Sequence, residues 1–219
     1  MIIKRRNIFA RLQHLIVAVA AAALPSTLRT AEAKESGAID RKAMSDLFDK
    51  HVNAELAGDL DTTMATMSDN PWLNHVPTRA GGVGRDGVRA FYRDHLVGKF
   101  FPPDVKMTSV SRTVGDAGIV DEVLISFTHT QTIDWLLPGV APTGKPVEMA
   151  VAVIVGVKDG KITHEHIYWD QASVLVQIGL LDPKGLPVAG VETARKVVDN
   201  SRPSNTLMAR WAHSEGKPI

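Results

Sequence analysis

The N-terminal half of the chain carries apolar residues at helical spacing. Between residues 40 and 56 they recur at steps of three and four positions, and Gly58 follows as a stop, which predicts an amphipathic helix. Asp59 is suited to cap a second, shorter helix that would end at Asn70 and Pro71. The glycines of residues 81–87 lead into a third predicted helix. Its apolar face would carry Val88, Phe91, Tyr92 and His95.

The pattern changes after Pro102 and Pro103. Residues 105–170 alternate between apolar and polar positions and are rich in β-branched side chains, which predicts four strands. The breaks between them fall at residues 115–116, 138–146 and 159–160. The longest predicted strand, residues 119–135, places His129 on its apolar face. Residues 147–157 are apolar on nearly both faces, so they are expected to form a central strand.

Helices followed by an antiparallel meander predict an α+β fold. Residues 158–161 read as a hairpin turn, and residues 72–77 are too short and too broken for more than a brief strand. Residues 183–187 are rich in proline and glycine and are typical of a linker. We expect the polar tail beyond them to hold at most one helix, near residues 192–200, and to pack poorly.

The N-terminus has the three parts of a secretory signal. A basic start is followed by an apolar run at residues 15–24 and by Ala31-Glu32-Ala33, which fits an A-x-A cleavage site. The run is about half the roughly 20 residues that a membrane-spanning helix needs, which argues against a retained anchor. Arg5 and Arg6 before an apolar pair also fit a twin-arginine signal, although an ordinary secretory signal remains open. Either route predicts an exported protein.

Composition narrows the function classes. Residues 1–33 hold five basic residues and one acidic residue, so their removal changes the formal charge from +1 to about −3. A chain with this charge lacks the excess of basic residues that is typical of nucleic-acid-binding proteins. The chain has no cysteine, which excludes disulfides, thiolate metal sites and a cysteine nucleophile. The remaining residues, about 186 in number, suffice for one domain with a sizeable core.

Several catalytic motifs are absent or out of context. Residues 82–87 match the G-x-G-x-x-G spacing, but no apolar strand precedes them, so a dinucleotide site is not predicted. The eight histidines include no H-E-x-x-H helix, and no metal site is predicted. No serine lies in a G-x-S-x-G elbow, which argues against a serine hydrolase.

Polar residues stand where the pattern calls for apolar ones. His129 lies on the apolar face of the long strand, Glu148 interrupts the central strand, and the last strand carries four polar or aromatic residues on one face. These four are His164, His166, Tyr168 and Asp170. Buried polar groups need partners, so the cluster as a whole indicates a ligand pocket, whereas each residue alone is better explained as an ordinary, hydrogen-bonded core residue.

The sequence resembles the SnoaL-like polyketide cyclase group of the nuclear-transport-factor-2-like superfamily over roughly residues 40–182. The matching segments are Ala57 to Asp61, Phe127 to Thr130, Leu137 to Lys145, Asp159 to Ile162, Tyr168 to Asp170 and Gln177 to Gly179. The resemblance implies a curved antiparallel sheet wrapped around helices to form a cone with one pocket. It also implies cofactor-free aldol cyclase, isomerase or dehydratase chemistry, or ligand binding alone. Residues 34–182 would form this domain and residues 183–219 an extension.

The resemblance also implies roles for individual residues. Asp170 takes the place of the group's acid/base aspartate, and His129 that of the histidine in its Thr-His-Thr strand. The hypothesis is that Asp170, with its pKa raised by an apolar pocket, removes a proton next to a carbonyl while His129 or His166 donates to the enolate oxygen. The substrate contacts are expected from His75, Trp72, Tyr92, Glu148 and Tyr168. The group commonly has an aromatic residue at the position of His166, a departure that bears on substrate choice.

Three functions are compatible with these features. The first is a cofactor-free enzyme for a small carbonyl or ester compound, with no metal or other cofactor. The second is a non-catalytic protein that binds an apolar small molecule in the periplasm. The third is a scaffold that acts only through its sheet face. Because the central strand is apolar on both sides, part of the outer sheet face should be covered, which predicts a homodimer.

Overall fold

The first helix begins and ends where its capping residues predict, and the second begins at its predicted cap. The computed structural model describes residues 40–208, so the predicted export signal lies outside the described residues. The Asp40 side chain accepts a hydrogen bond from Ala43 N at 2.9 Å, and Gly58 ends the first helix in the left-handed conformation with φ 70°. Asp59 caps the second helix in the same way as Asp40. The helices are α1 (Arg41–Ala57), α2 (Leu60–Thr66), α3 (Gly84–Phe91), α4 (Gln171–Gln177) and α5 (Glu192–Val198).

Six strands form one sheet, in the order β2-β1-β6-β5-β4-β3. They are β1 (Met67–His75), β2 (Ala80–Val83), β3 (Lys106–Val114), β4 (Gly118–Thr128), β5 (Pro146–Lys158) and β6 (Lys161–Trp169). The four strands predicted between residues 105 and 170 are confirmed, as is the central position of the apolar strand β5. Neighbouring strands are antiparallel except for β1 and β6, which run parallel. Most of the domain separates these two strands in sequence, and this long connection permits the parallel pairing.

The curved sheet and the N-terminal helices enclose the core, which confirms the predicted α+β cone. Side chains on the inner face of the sheet alternate with exposed or half-buried ones on the outer face. Helix α3 continues into a π-helical turn at Tyr92–Leu96. The inner layer includes Phe48, Met64, Leu73, Tyr92, Ile125, Val151 and Trp169, all at most 8% exposed.

Two strand boundaries differ from the prediction. Strand β4 ends at Thr128 rather than at residue 135, because His129 bonds across to Lys145 and Gly144 and closes a long loop. The loop still buries Ile133 and Trp135, which explains their apolar character. The second helix ends at Thr66, and a nine-residue strand begins at Met67. A register shift between residues 67 and 72 lets this strand pass Pro71 without a ladder hydrogen bond from it.

The expectation of a poorly packed tail is wrong for its helical part. Helix α5 lies where the sequence predicts it and packs against β5, and Ala194 is buried there. Arg195 forms a bidentate ion pair with Glu148 of β5. Thr193 donates to the Ser173 hydroxyl at 2.8 Å, which ties the tail to α4 as well. Within residues 40–208, no helix is long and apolar enough to cross a membrane.

Candidate functional site

A cavity lies between the inner face of the sheet and helix α1. Its volume is about 80 Å³, roughly half that of a cavity that holds a benzene ring, so it suits a ligand of only a few heavy atoms. Apolar side chains form most of its wall, including Phe48, Val52, Leu96, Phe100, Phe101, Ile125, Trp135, Val151 and Val153. Only three of its lining residues are polar, namely Glu55, His75 and Glu165. An apolar cavity with a few converging polar groups is the usual form of a small-molecule site.

The fully buried His51 links the two carboxylates of the cavity. Its Nε2 atom lies 3.2 Å from Glu55 Oε1 and 3.2 Å from Glu165 Oε2. Its Nδ1 atom lies 2.6 Å from the hydroxyl of Thr66, which itself donates to the carbonyl of Thr63. Because that hydroxyl has used its hydrogen, it accepts from Nδ1–H, and Nε2 is left to face the carboxylates.

The charges around His51 favour the protonated form of its imidazole. Burial alone would lower the pKa of His51, but the charges of Glu165 and Glu55 raise that pKa well above its usual value. The Tyr92 hydroxyl donates to Glu165 Oε2 at 3.2 Å, and burial followed by the same two charges raises the pKa of Tyr92. The group therefore holds one imidazolium proton between two carboxylates, with the phenol as a further donor to Glu165.

His75 forms a second polar point on the cavity wall. Its Nδ1 atom donates to the carbonyl of Ala80 at 3.2 Å, and its ring packs against those of Trp135 and Phe91. Burial lowers the pKa of His75 to about 4, so the ring is neutral near pH 7. With Nδ1 bearing the proton, Nε2 is a hydrogen-bond acceptor.

Local sequence explains why these groups meet. His51 and Glu55 are one helical turn apart and continue the buried stripe of Met44 and Phe48 on α1. Glu165 lies two and four residues before the inward-facing Ile167 and Trp169 of β6, so it shares their face and also points inward. The sequence reasoning missed His51, Glu55 and Glu165. The available signal was the periodicity itself, because each polar residue sits at an apolar position of its element.

The structure brings two of the predicted substrate contacts to this site. His75 lines the cavity, and Tyr92 bonds to Glu165 just behind its wall. Both residues are buried, as expected for groups on the inside of the cone. The ionisable residues beside them, His51, Glu55 and Glu165, come from α1 and β6.

Four predicted site residues lie instead on the outer face of the sheet, which corrects their placement. Alternation decides this: Ile167 and Trp169 point inward, so His166 and Tyr168 point outward. Trp72 is 46% exposed and packs edge-on against His166 with ring centroids 4.4 Å apart. The fourth residue, Glu148, pairs with Arg195 of the tail.

The remaining two predicted residues also lie away from the cavity wall. Asp170 is exposed, and its carboxylate caps α4 by accepting from Ser173 N at 3.0 Å. His129 is buried as predicted, but its Nδ1 atom bonds to Thr143 within the long loop. Its Nε2 atom has no hydrogen-bond partner within residues 40–208, and burial lowers the pKa of His129. Neither side chain is among those that line the cavity.

Within the part of the chain that the structure describes, one group of three side chains could hold a metal ion. It consists of His51, Glu55 and Glu165, which we call the His51 group, and its ligand atoms lie within 4.8 Å of one another. The contact from Thr66 to Nδ1 would orient the imidazole for such a role. A proton on Nε2 also accounts for the arrangement, because the single N–H bonds to Glu165 and its positive charge lies beside Glu55 as well.

Comparison with known proteins agrees with this architecture. TsrD from Streptomyces laurentii shares 19% identity, with a TM-score of 0.52 over 65% of this chain and 98% of TsrD. A candidate SnoaL-like polyketide cyclase from Jannaschia sp. CCS1 shares 14% identity, with a TM-score of 0.53 over 68% of this chain and 99% of its own. At these identities the two structures show the shared fold alone. No curated protein matches the sequence.

The family model described as the SnoaL-like domain matches residues 48–165. This range runs from the middle of α1 into β6 and includes every side chain of the His51 group. Since the match covers more than half of the chain, the protein belongs to the SnoaL-like family.

Proposed function

We propose that this protein is a cofactor-free acid/base enzyme, of the cyclase, isomerase or dehydratase type, that acts on a small carbonyl compound. One observation carries the proposal: a single imidazole nitrogen lies 3.2 Å from an oxygen of each of two carboxylates, and both carboxylates line an apolar cavity. Two carboxyl groups that share one proton can act as acid and base together, which is what proton transfer next to a carbonyl requires.

The proposed reaction begins with one carboxylate as the base. Glu55 takes a proton from the carbon next to the substrate carbonyl, and the electron pair of the broken C–H bond moves into an enolate. The proton on His51 passes to Glu165, whose new O–H group donates to the enolate oxygen. Reversal of these transfers, with the proton returned to the same or another carbon, regenerates both carboxyl groups and the imidazolium. The roles of Glu55 and Glu165 are interchangeable in this scheme because both contact His51 Nε2.

Family membership supports this class of chemistry. The structural relative from Jannaschia sp. CCS1 is described as a candidate SnoaL-like polyketide cyclase. This name describes that protein, and its similarity to this chain is too low to transfer a substrate. The proposal for this chain therefore rests on its own carboxylate pair.

Solvent deuterium exchange tests the proposal without knowledge of the natural substrate. Wild-type protein in D₂O should replace the hydrogens next to the carbonyl in members of a panel of small ketones and esters, as followed by NMR. Glu55→Gln and Glu165→Gln should each lower the exchange rate by about a hundredfold or more, because general acid/base catalysis contributes 10²–10⁴-fold. The matched control is Glu122→Gln, which changes a carboxylate on the outer face of β4.

Two outcomes would count against this mechanism. Equal exchange by wild type and both cavity variants would remove the carboxylates from the reaction. Loss of exchange after treatment with a chelator would assign the His51 group to a metal ion instead of a proton. Proton chemistry predicts that the chelator leaves the rate unchanged.

The competing function is non-catalytic binding of an apolar small ligand. The nearly continuous apolar wall of the cavity favours it. Native mass spectrometry of gently purified protein separates the two functions. A single unaltered ligand retained by the protein would support binding, whereas a mixture of substrate and product would support catalysis.

Assembly and export complete the proposal. Four large side chains on or near the outer sheet face are 38–46% exposed: Trp72, Val120, Ile154 and Tyr168. We propose that a second copy of the chain covers this face. Light scattering should give a dimer for the wild type and a monomer for Ile154→Arg, and a wild-type monomer would contradict the assignment.

We also propose that the N-terminal segment exports the protein. Cell fractionation should find the mature chain outside the cytoplasm. Replacement of Arg5 and Arg6 by lysine should block export only if the twin-arginine route is used. Cytoplasmic retention of the unchanged protein would contradict export.

A further inference from the structure

We propose that His75 determines specificity by accepting a hydrogen bond from a hydroxyl group of the substrate, which makes the substrate a neutral hydroxy-carbonyl compound. This inference rests on the proposed function, because it places the substrate carbonyl at the Glu55 and Glu165 carboxylates. It adds a second point of recognition at the third polar residue that lines the same cavity.

The protonation of His75 fixes what the ring can recognise. The carbonyl of Ala80 can only accept, so Nδ1 carries the hydrogen of that 3.2 Å bond. The ring is neutral near pH 7, since its burial lowers the pKa to about 4. Nε2 is thus an acceptor, and the structure shows no hydrogen-bond donor for it among residues 40–208. A hydroxyl group of a ligand is a suitable donor for such an atom.

The other lining residues exclude an anionic substrate. Two of the three polar lining residues are carboxylates, and no lysine or arginine is among the residues that line this cavity in the described part of the chain. A ligand carboxylate would lie near like charges with no cation to pair with it. The rings of Phe100, Phe101 and Trp135 instead offer apolar surface to a neutral body.

A matched set of four-carbon ketones, small enough for the cavity, tests the inference by binding. Dissociation constants are measured by NMR titration for butanone, for its three hydroxy-substituted isomers and for the anions 2-oxobutanoate and 3-oxobutanoate. The wild type should bind at least one hydroxy isomer about tenfold to a hundredfold more tightly than butanone, because butanone leaves the acceptor atom of His75 without water and without a hydrogen bond. The two anions should bind more weakly than butanone.

Variants separate recognition from general damage to the cavity. The hydroxy preference is the dissociation constant of the unsubstituted ketone divided by that of the hydroxy isomer. His75→Phe keeps an aromatic ring but removes the hydrogen-bond acceptor, so this ratio should fall to about one. His75→Gln restores a polar acceptor and should recover part of the preference. His95→Phe, at an exposed histidine, should leave the preference unchanged. If the role of His75 were purely structural, His75→Phe would weaken the binding of the hydroxy ketone and of the unsubstituted ketone equally. The ratio of their dissociation constants would then stay unchanged.

The results distinguish this inference from the proposed function. A wild type that binds every hydroxy isomer no better than butanone, or that binds none of these ketones, overturns the inference. The same follows if His75→Phe retains the preference. Deuterium exchange without a hydroxy preference contradicts the inference alone, whereas a preference without exchange contradicts the enzymatic function alone.

Discussion

The two faces of the sheet carry similar residue types in different surroundings. The inner face presents Glu165 and His75, and the outer face presents Glu148 and His166. The inner carboxylate is 4% exposed and contacts a buried imidazole, whereas Glu148 is 27% exposed and pairs with an arginine that is itself 43% exposed. The same chemical group can therefore be the buried partner of an imidazole, the position in which we propose acid/base chemistry, or a partly exposed ion-pair partner, and the degree of burial makes the difference.

The largest expected difference between the faces is in stability. Glu165→Leu leaves the imidazolium of His51 buried with only one carboxylate, so the free energy of unfolding should fall by about 3–5 kcal/mol. Glu148→Leu removes a partly exposed ion pair, and the loss should be about 0–1 kcal/mol. Urea denaturation of both variants measures the two values. Equal losses would show that the two carboxylates do not differ in the way their burial indicates.

The second expected difference is in the response to acid. The pKa of His75 is about 4 in the folded protein and about 6.5 in an unfolded chain. Between these values the unfolded chain binds a proton that the folded protein does not, so His75 stabilises the fold above pH 6.5 and this contribution is lost as the pH falls toward 4. The loss amounts to about 3 kcal/mol, at about 1.4 kcal/mol for each pH unit.

Urea denaturation at a series of pH values checks this effect. His75→Phe should flatten the decline in unfolding free energy between pH 6.5 and 4, relative to the wild type. His95→Phe is the control, because that side chain is 45% exposed. If both variants decline as steeply as the wild type, the acid sensitivity has its origin elsewhere, for example in the buried His129, whose pKa is also lowered.

The sequence predicts the fold more completely than the site. Capping residues and helical periodicity locate α1 and α2, and alternation locates the four C-terminal strands, because these signals depend on local geometry. The end of β4 is different, since the apolar residues Ile133 and Trp135 are buried by a loop that only long-range contacts define. Alternation cannot distinguish an apolar loop residue from the next position of a strand.

The site was harder to predict because it depends on which sheet face becomes the inside. The pattern correctly groups His164, His166 and Tyr168 on one face of β6. The opposite face of β6 holds Ile167 and Trp169 together with Glu165, and this face lies inside. Glu165 was therefore the polar residue at an apolar position of the strand. The pairing of Glu165 with His51 spans 114 residues of sequence and could not follow from local spacing.

The smallest expected effect concerns Asp170, the aspartate that the family resemblance places in the acid/base role. In the structure its carboxylate caps α4 through Ser173 N, and asparagine is as good an N-cap as aspartate. Asp170→Asn should therefore change the unfolding free energy by less than about 0.5 kcal/mol and leave deuterium exchange unchanged. Asp170→Ala, which removes the cap, should cost about 0.5–2 kcal/mol, again with no change in exchange per folded molecule. Loss of exchange in the folded Asp170→Asn variant would instead restore the catalytic role to Asp170, and it would show that the His51 group is not sufficient for the reaction.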